Sequence, residues 1–221
     1  MSAKVILMKK TAFTLIEIIF VVVIIGIMSA VIAPRVKRAT IQEAADQIAA
    51  HIRYTQQLAL NDNKFDPSDP NWYKKRWQIF FQNPNSYNDY KISYTIYSNT
   101  NLDSNANTNE IAKNPLNPSQ VLSGGTVGAS YGSKNVTKEM NLGHKYDINS
   151  VSFSNNCNLA MRISFDYLGR PLKGDIKSLT SKYSGGTNRL LQQDCNITIT
   201  NSAGEFKTIV ITPETGYVYI Q

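Results

Sequence analysis

The sequence predicts an α+β chain, a long N-terminal membrane-spanning helix packed on a C-terminal antiparallel β-rich head domain. Three observations predict it. Residues 13–33 form an almost unbroken apolar run, and apolar residues then recur at helical spacing to about Leu60. Beyond that point, short aromatic and β-branched segments alternate with turn-rich loops. A chain of 221 residues, 42% hydrophobic and 18% charged, has room for one head and one anchor. Two cysteines are too few for a disulfide scaffold, and the apolar content is too high for a disordered chain.

As a helix, residues 13–33 rise about 32 Å, close to the roughly 30 Å of a bilayer's hydrocarbon core. The run is longer than the apolar part of a secretory signal. It reaches Pro34 without a small-residue cleavage site, so it is expected to be retained. Glu17 is the anomaly, because a carboxylate inside a spanning helix costs on the order of 3 kcal/mol. It requires a cation from chain cleavage or from another chain; the alternative is an acid tolerated near the membrane edge. Charge does not orient the segment, since Lys4, Lys9 and Lys10 precede it as closely as Arg35, Lys37 and Arg38 follow it.

The helix is expected to continue past Gly26 and Pro34, its bend points, because Ile41, Ala44, Ile48, Ile52, Thr55 and Ala59 lie on one stripe. Asn61 to Asn63 and then Pro67 and Pro70 end it. In the head, alternation predicts strands at 76–81, 90–97, 159–165, 195–200, 206–211 and 217–220. The Asn-rich stretch 99–109 reads as loop, and Ser-Gly-Gly-Thr at 123–126 and again at 184–187 reads as two flexible turns.

Lys9-Lys10-Thr11-Ala12 followed by Phe13-Thr14-Leu15-Ile16-Glu17 and a long apolar helix resembles the prepilin signature of type IV pilins and type II secretion pseudopilins. The resemblance implies that residues 1–12 are a cleaved basic leader. It implies that prepilin peptidase cuts between Ala12 and Phe13, and that the new Phe13 amine is methylated. Glu17 then becomes the fifth residue of the mature chain, paired with a neighbouring subunit's N-terminal amine during assembly, which supplies the missing cation. Ala12 stands where the family usually has Gly, and Met8 makes an alternative start to Met1. Residues 163–171 and 209–218, each a strand, a Gly turn and a strand, are similar to H-type minor pseudopilins and FimT-type minor pilins. DNA-binding members of that group carry a basic tail after the last Gly, whereas residues 217–221 contain no Lys or Arg.

Several residues are candidate sites. Cys157 and Cys195 are an even pair in a domain expected outside the cytoplasm, so a disulfide is expected, with two buried thiols as the alternative. Lys74, Lys75 and Arg76 lie between Trp72 and Trp77, the composition of a single-strand stacking groove and a candidate DNA contact. The plainer reading buries Trp77 and leaves the three bases at a strand entrance. Net charge is +7, and +4 without the leader's three lysines, a modest excess that serves solubility. Asp103, Asn105 and Asn107 echo a calcium loop, but Thr108 and Asn114 stand where Gly and Glu are needed. Asn196 sits in an acidic glycosylation sequon beside Cys195. His51 and His144 lack ligand spacing to a Cys, and no nucleophile or phosphate-loop motif occurs, so no metal, no cofactor and no enzyme activity are expected.

The expected organisation is a leader at 1–12, a transmembrane and filament-core helix at 13–33, its amphipathic continuation at 34–60 and a periplasmic head at 61–221. By resemblance the chain is a structural minor pilin-like subunit of a type II secretion or type IV pilus-type machine. Its location would be the bacterial inner membrane, single-pass, with the C-terminal domain in the periplasm. Its partners would be other pilin or pseudopilin subunits, prepilin peptidase, the inner-membrane assembly platform and the membrane. Two alternatives stay open: a DNA-uptake pseudopilin that contacts DNA, and a non-polymerising anchored periplasmic binding module.

Overall fold

The computed structural model describes residues 14–103, 106–155, 157–182 and 189–221, with the side chains of 30–39 left out. One helix, α1, spans Leu15–Asn61, 47 residues that pass through Gly26 and Pro34 as a single element. The chain divides into two compact units at residues 39 and 40.

In the first unit, the large apolar side chains from Leu15 to Met28 are all exposed, between 40% and 78%. Among the described residues no helix is long and apolar enough to cross a membrane. This overturns the membrane-spanning helix and, with it, the single-pass inner-membrane placement with a periplasmic C-terminal domain. The physical reason lies in the composition of that stretch: Glu17 stands in its first turn, and a carboxylate inside a bilayer costs on the order of 3 kcal/mol. From Thr40 onward, α1 is amphipathic.

In the second unit, the stripe formed by Ile41, Ala44, Ile48, Ile52, Thr55 and Ala59 is buried to 4% exposure or less. The last turn closes with Asp62 N–H donating to Leu58 C=O at 2.8 Å, and Asx turns at Asp66 and Asp69 lead the chain away. The stripe shares one apolar cluster with residues of two antiparallel sheets. The first contains β1 (Trp77–Gln82), β2 (Ser93–Ser98), β6 (Arg162–Phe165) and β7 (Pro171–Lys173), in the order β2-β1-β6-β7. The second contains β5 (Ile148–Ser154), β8 (Cys195–Asn201), β9 (Phe206–Ile211) and β10 (Val218–Ile220), in the order β10-β9-β8-β5. Between β2 and β5 lie a small hairpin, β3 (Lys113–Asn114) with β4 (Asn117–Val121), and a one-turn helix, α2 (Leu142–Tyr146).

Strand alternation explains the core. In β8, Cys195, Ile197 and Ile199 point inward, while Asn196, Thr198 and Thr200 are half-exposed on the other face. Ile79 and Phe81 of β1, Tyr94 and Ile96 of β2 and Ile163 and Phe165 of β6 meet the helix stripe in one apolar cluster. Ser123 to Thr126 is not the flexible turn expected. All four residues are buried, and a Cβ on Gly124 would lie 2.3 Å from the Met140 carbonyl, so only Gly fits. The second Ser-Gly-Gly-Thr lies outside the described residues.

Candidate functional site

The assembly residues inferred from sequence sit at the start of α1. Ala12 and Phe13, the expected processing pair, lie outside the described residues. Glu17 is exposed in the first helical turn, where its negative charge is favoured by the backbone dipole. Its N–H donates to the Thr14 carbonyl at 3.1 Å and to Thr14 Oγ1 at 3.4 Å, so Thr14 opens the helix. From that acid the helix presents Ile18, Ile19, Phe20 and Val21 on successive sides, each about half exposed or more. A helix apolar all round is a helix that is covered in its working state.

The other half of α1 is stitched to the head by polar bonds that apolar periodicity does not reveal. Gln56 Nε2 donates to Gly169 C=O and to Thr215 C=O, both at 2.8 Å. Arg53 Nη2 donates to Val218 C=O at 2.7 Å, holding the edge of β10. Gly169 and Gly216, the turn glycines of residues 163–171 and 209–218, therefore meet at one helix residue. Both have positive φ, +78° and +63°. A Cβ on Gly216 would stand 2.7 Å from the Gln56 amide and 3.0 Å from Gly169 O, so close approach and backbone conformation both require glycine there.

A buried hydrogen-bond chain fixes the same helix against β2. Tyr146 Oη donates to Gln47 Oε1 at 2.7 Å, Gln47 Nε2 donates to Tyr94 Oη at 2.7 Å, and Tyr94 Oη lies 2.6 Å from His51 Nδ1. With Gln47 donating to the Tyr94 hydroxyl, the His51 tautomer that lets that hydroxyl donate onward is the one protonated on Nε2. Burial pushes the His51 pKa down from 6.5 to about 4 and holds the Tyr94 phenol well above its ordinary value. The histidine is a structural partner of Tyr94.

Lys74, Lys75 and Arg76 do not form an open basic strip. Arg76 is 8% exposed, with its guanidinium over the Trp72 ring at 5.8 Å. Lys75 pairs with Asp69 at 2.7 Å, and Lys74 lies over Tyr73 at 5.7 Å. Trp72, at 2% exposure, is the buried indole, packed edge-on against Phe65. Trp77 is half-buried and donates its indole N–H to Asp62 at 2.9 Å. Trp77 packs partly buried against the main core, as the plainer reading expected, and Trp72 is buried more deeply, so neither indole is left as an open stacking platform for a base.

A disulfide joins Cys157 to Cys195, linking the start of β8 to the loop that precedes β6. Asn196 is half-exposed in β8, which pairs with strands on both sides. The Asn-rich loop is organised by Glu110, which sequence reading passed over. Only 4% exposed, it accepts from Thr100 Oγ1, Asn101 N–H and Asn107 N–H at 3.0–3.1 Å. Asp103 accepts from the side chains of Asn101 and Asn107, while Asn105 lies outside the described residues. Among the described residues no group of three or more His, Cys, Asp or Glu side chains could hold a metal ion.

No protein-family model, curated protein or solved structure matches this chain.

Proposed function

We propose that the protein is a structural subunit of a pilin-like filament belonging to a type II secretion or type IV pilus-type machine. The carrying observation is the exposed apolar stretch of α1, headed by Glu17 and joined to a head domain tied to the rest of the same helix. In this reading prepilin peptidase releases the leader at Ala12 and Phe13, and the apolar stretches of successive copies or sister subunits cover one another. The Phe13 amine meets Glu17 of a neighbour. Burying an acid against an amine adds little net stability, because desolvation offsets the attraction, but a mismatch strands a charge, so the pair sets axial register.

The disulfide agrees with a working location in an oxidising compartment. DNA uptake is less well supported, since Arg76 is buried and Lys75 is paired.

Cysteine crosslinking tests this reading. Glu17→Ala should reduce the crosslinked ladder by about tenfold relative to wild type, and Glu17→Asp should retain part of it. A Glu17→Ala ladder equal to the wild-type ladder would falsify the register role.

A further inference from the structure

Beside the far end of β1 the head opens a groove of about 610 Å³. That volume lies within the roughly 300–1,000 Å³ of ordinary ligand sites. Phe80, Pro84, Tyr87, Tyr97, Val127 and Met161 supply apolar and aromatic wall, and Arg162 is the one charged residue among those lining it.

The groove exists because a strand pairing stops early. β6 pairs with β1 at Gln78, Ile79 and Phe80 only. One further bond forms, Phe81 N–H to Met161 C=O at 3.0 Å. Ala160 and Met161 then both have positive φ, 58° and 48°, an uncommon conformation for residues with side chains, and the chain peels away. In β1 the odd-numbered residues aim their backbone groups toward β6. Among the described residues, no N–H donates to Phe81 C=O and no acceptor receives Asn83 N–H. These two groups form a short unpaired edge along the groove floor, the template an added strand uses.

The charge is equally local. The Arg162 guanidinium lies 3.9 Å from the Phe80 ring centroid, donates to Tyr97 Oη at 3.0 Å and stands 3.4 Å from Asp175, which is not part of the lining. On the rim, Tyr87 and Val127 are 41% and 42% exposed.

We propose that this groove docks an extended peptide segment of a partner protein. The segment adds as a strand against Phe81 C=O and Asn83 N–H, lays alternate apolar side chains against Phe80, Tyr87 and Val127, and brings a carboxylate to Arg162. Main-chain bonds give such a complex its affinity, and the side-chain pockets give it selectivity. The inference rests on the head alone and goes beyond the filament reading.

The test uses the full chain and a fluorescein-labelled peptide, acetyl-Val-Thr-Val-Thr-Asp-Thr-amide, whose valines and aspartate share one face. A second peptide carries lysine in place of the aspartate. Anisotropy should show saturable binding of the first peptide, weakened about tenfold or more by the lysine. Binding should weaken by a similar factor in Val127→Glu, at a 42% exposed rim position, and in Asn83→Pro, which deletes the edge N–H, both variants being required to keep the wild-type circular dichroism spectrum. Glu17→Ala should bind like wild type, which separates this outcome from the fate of the filament reading. No saturation at about 1 mM peptide, equal affinity for both peptides, or unchanged binding in both variants overturns the proposal. A dimer in sedimentation that Val127→Glu dissolves, with no peptide binding, makes the occupant a second copy and overturns it as well.

Discussion

Replacing Gly216 with alanine probes the contact that ties the two glycine turns to α1. The native φ of +63° costs an alanine about 1 kcal/mol or slightly more. The new methyl would stand 2.7 Å from the Gln56 amide, so that side chain must withdraw. Its withdrawal forfeits the bonds to Gly169 C=O and Thr215 C=O, about 1 kcal/mol each. A total loss of about 3 kcal/mol is expected in urea unfolding followed by circular dichroism. Gln56→Ala alone should lose about 2 kcal/mol, and the double variant no more than Gly216→Ala alone, because the same bonds cannot be lost twice. A Gly216→Ala loss below about 1 kcal/mol, or losses that simply add, would refute the clamp.

Other consequences can be measured on the same protein. Replacing Cys157 and Cys195 together by serine opens a loop with a sequence separation of 38, and should cost up to about 4 kcal/mol. Reductant should lower the wild-type melting temperature toward that of the variant and leave the variant unmoved. His51 has a folded pKa near 4 against 6.5 unfolded, so its neutral form contributes stability that is fully present above pH 6.5. That stability falls away as pH drops from 6.5 toward 4, and His51→Gln should show a flatter profile across that window. A variant profile as steep as wild type would assign the acid sensitivity to other groups.

Much of the head could be read from sequence where side-chain alternation was strong. The residues of β1, β2, β6, β8, β9 and β10 fall where aromatic and β-branched alternation placed strands, and α1 ends one residue beyond Leu60. The unread strands have physical reasons. β7 has three residues, β3 and β4 are mostly Asn, Pro, Ser and Gln with a single apolar Val121, and β5 carries serines on its outward side, so only Val151 and Phe153 mark its period. Length misled at the other end, because the apolar run from 13 to 33 was read as a membrane span and no described helix meets that requirement.

Polar anchoring was harder still to read. Gln56, Gln47 and Glu110 occupy positions that apolar patterning treats as solvent, yet each is fixed by partners far away in sequence or by a local loop. The deep burial of Trp72 was not read, because Phe65 meets that indole in a contact across a turn that no periodicity encodes. The groove depends on two left-handed residues, Ala160 and Met161, whose types carry no signal for that conformation.

The central claim is most directly tested by intact mass and N-terminal peptide mapping of the protein, produced with and without prepilin peptidase. The account predicts a mature chain beginning at N-methyl-Phe13 only when the peptidase is present. A chain beginning at Met1 or Met8 under both conditions would contradict it.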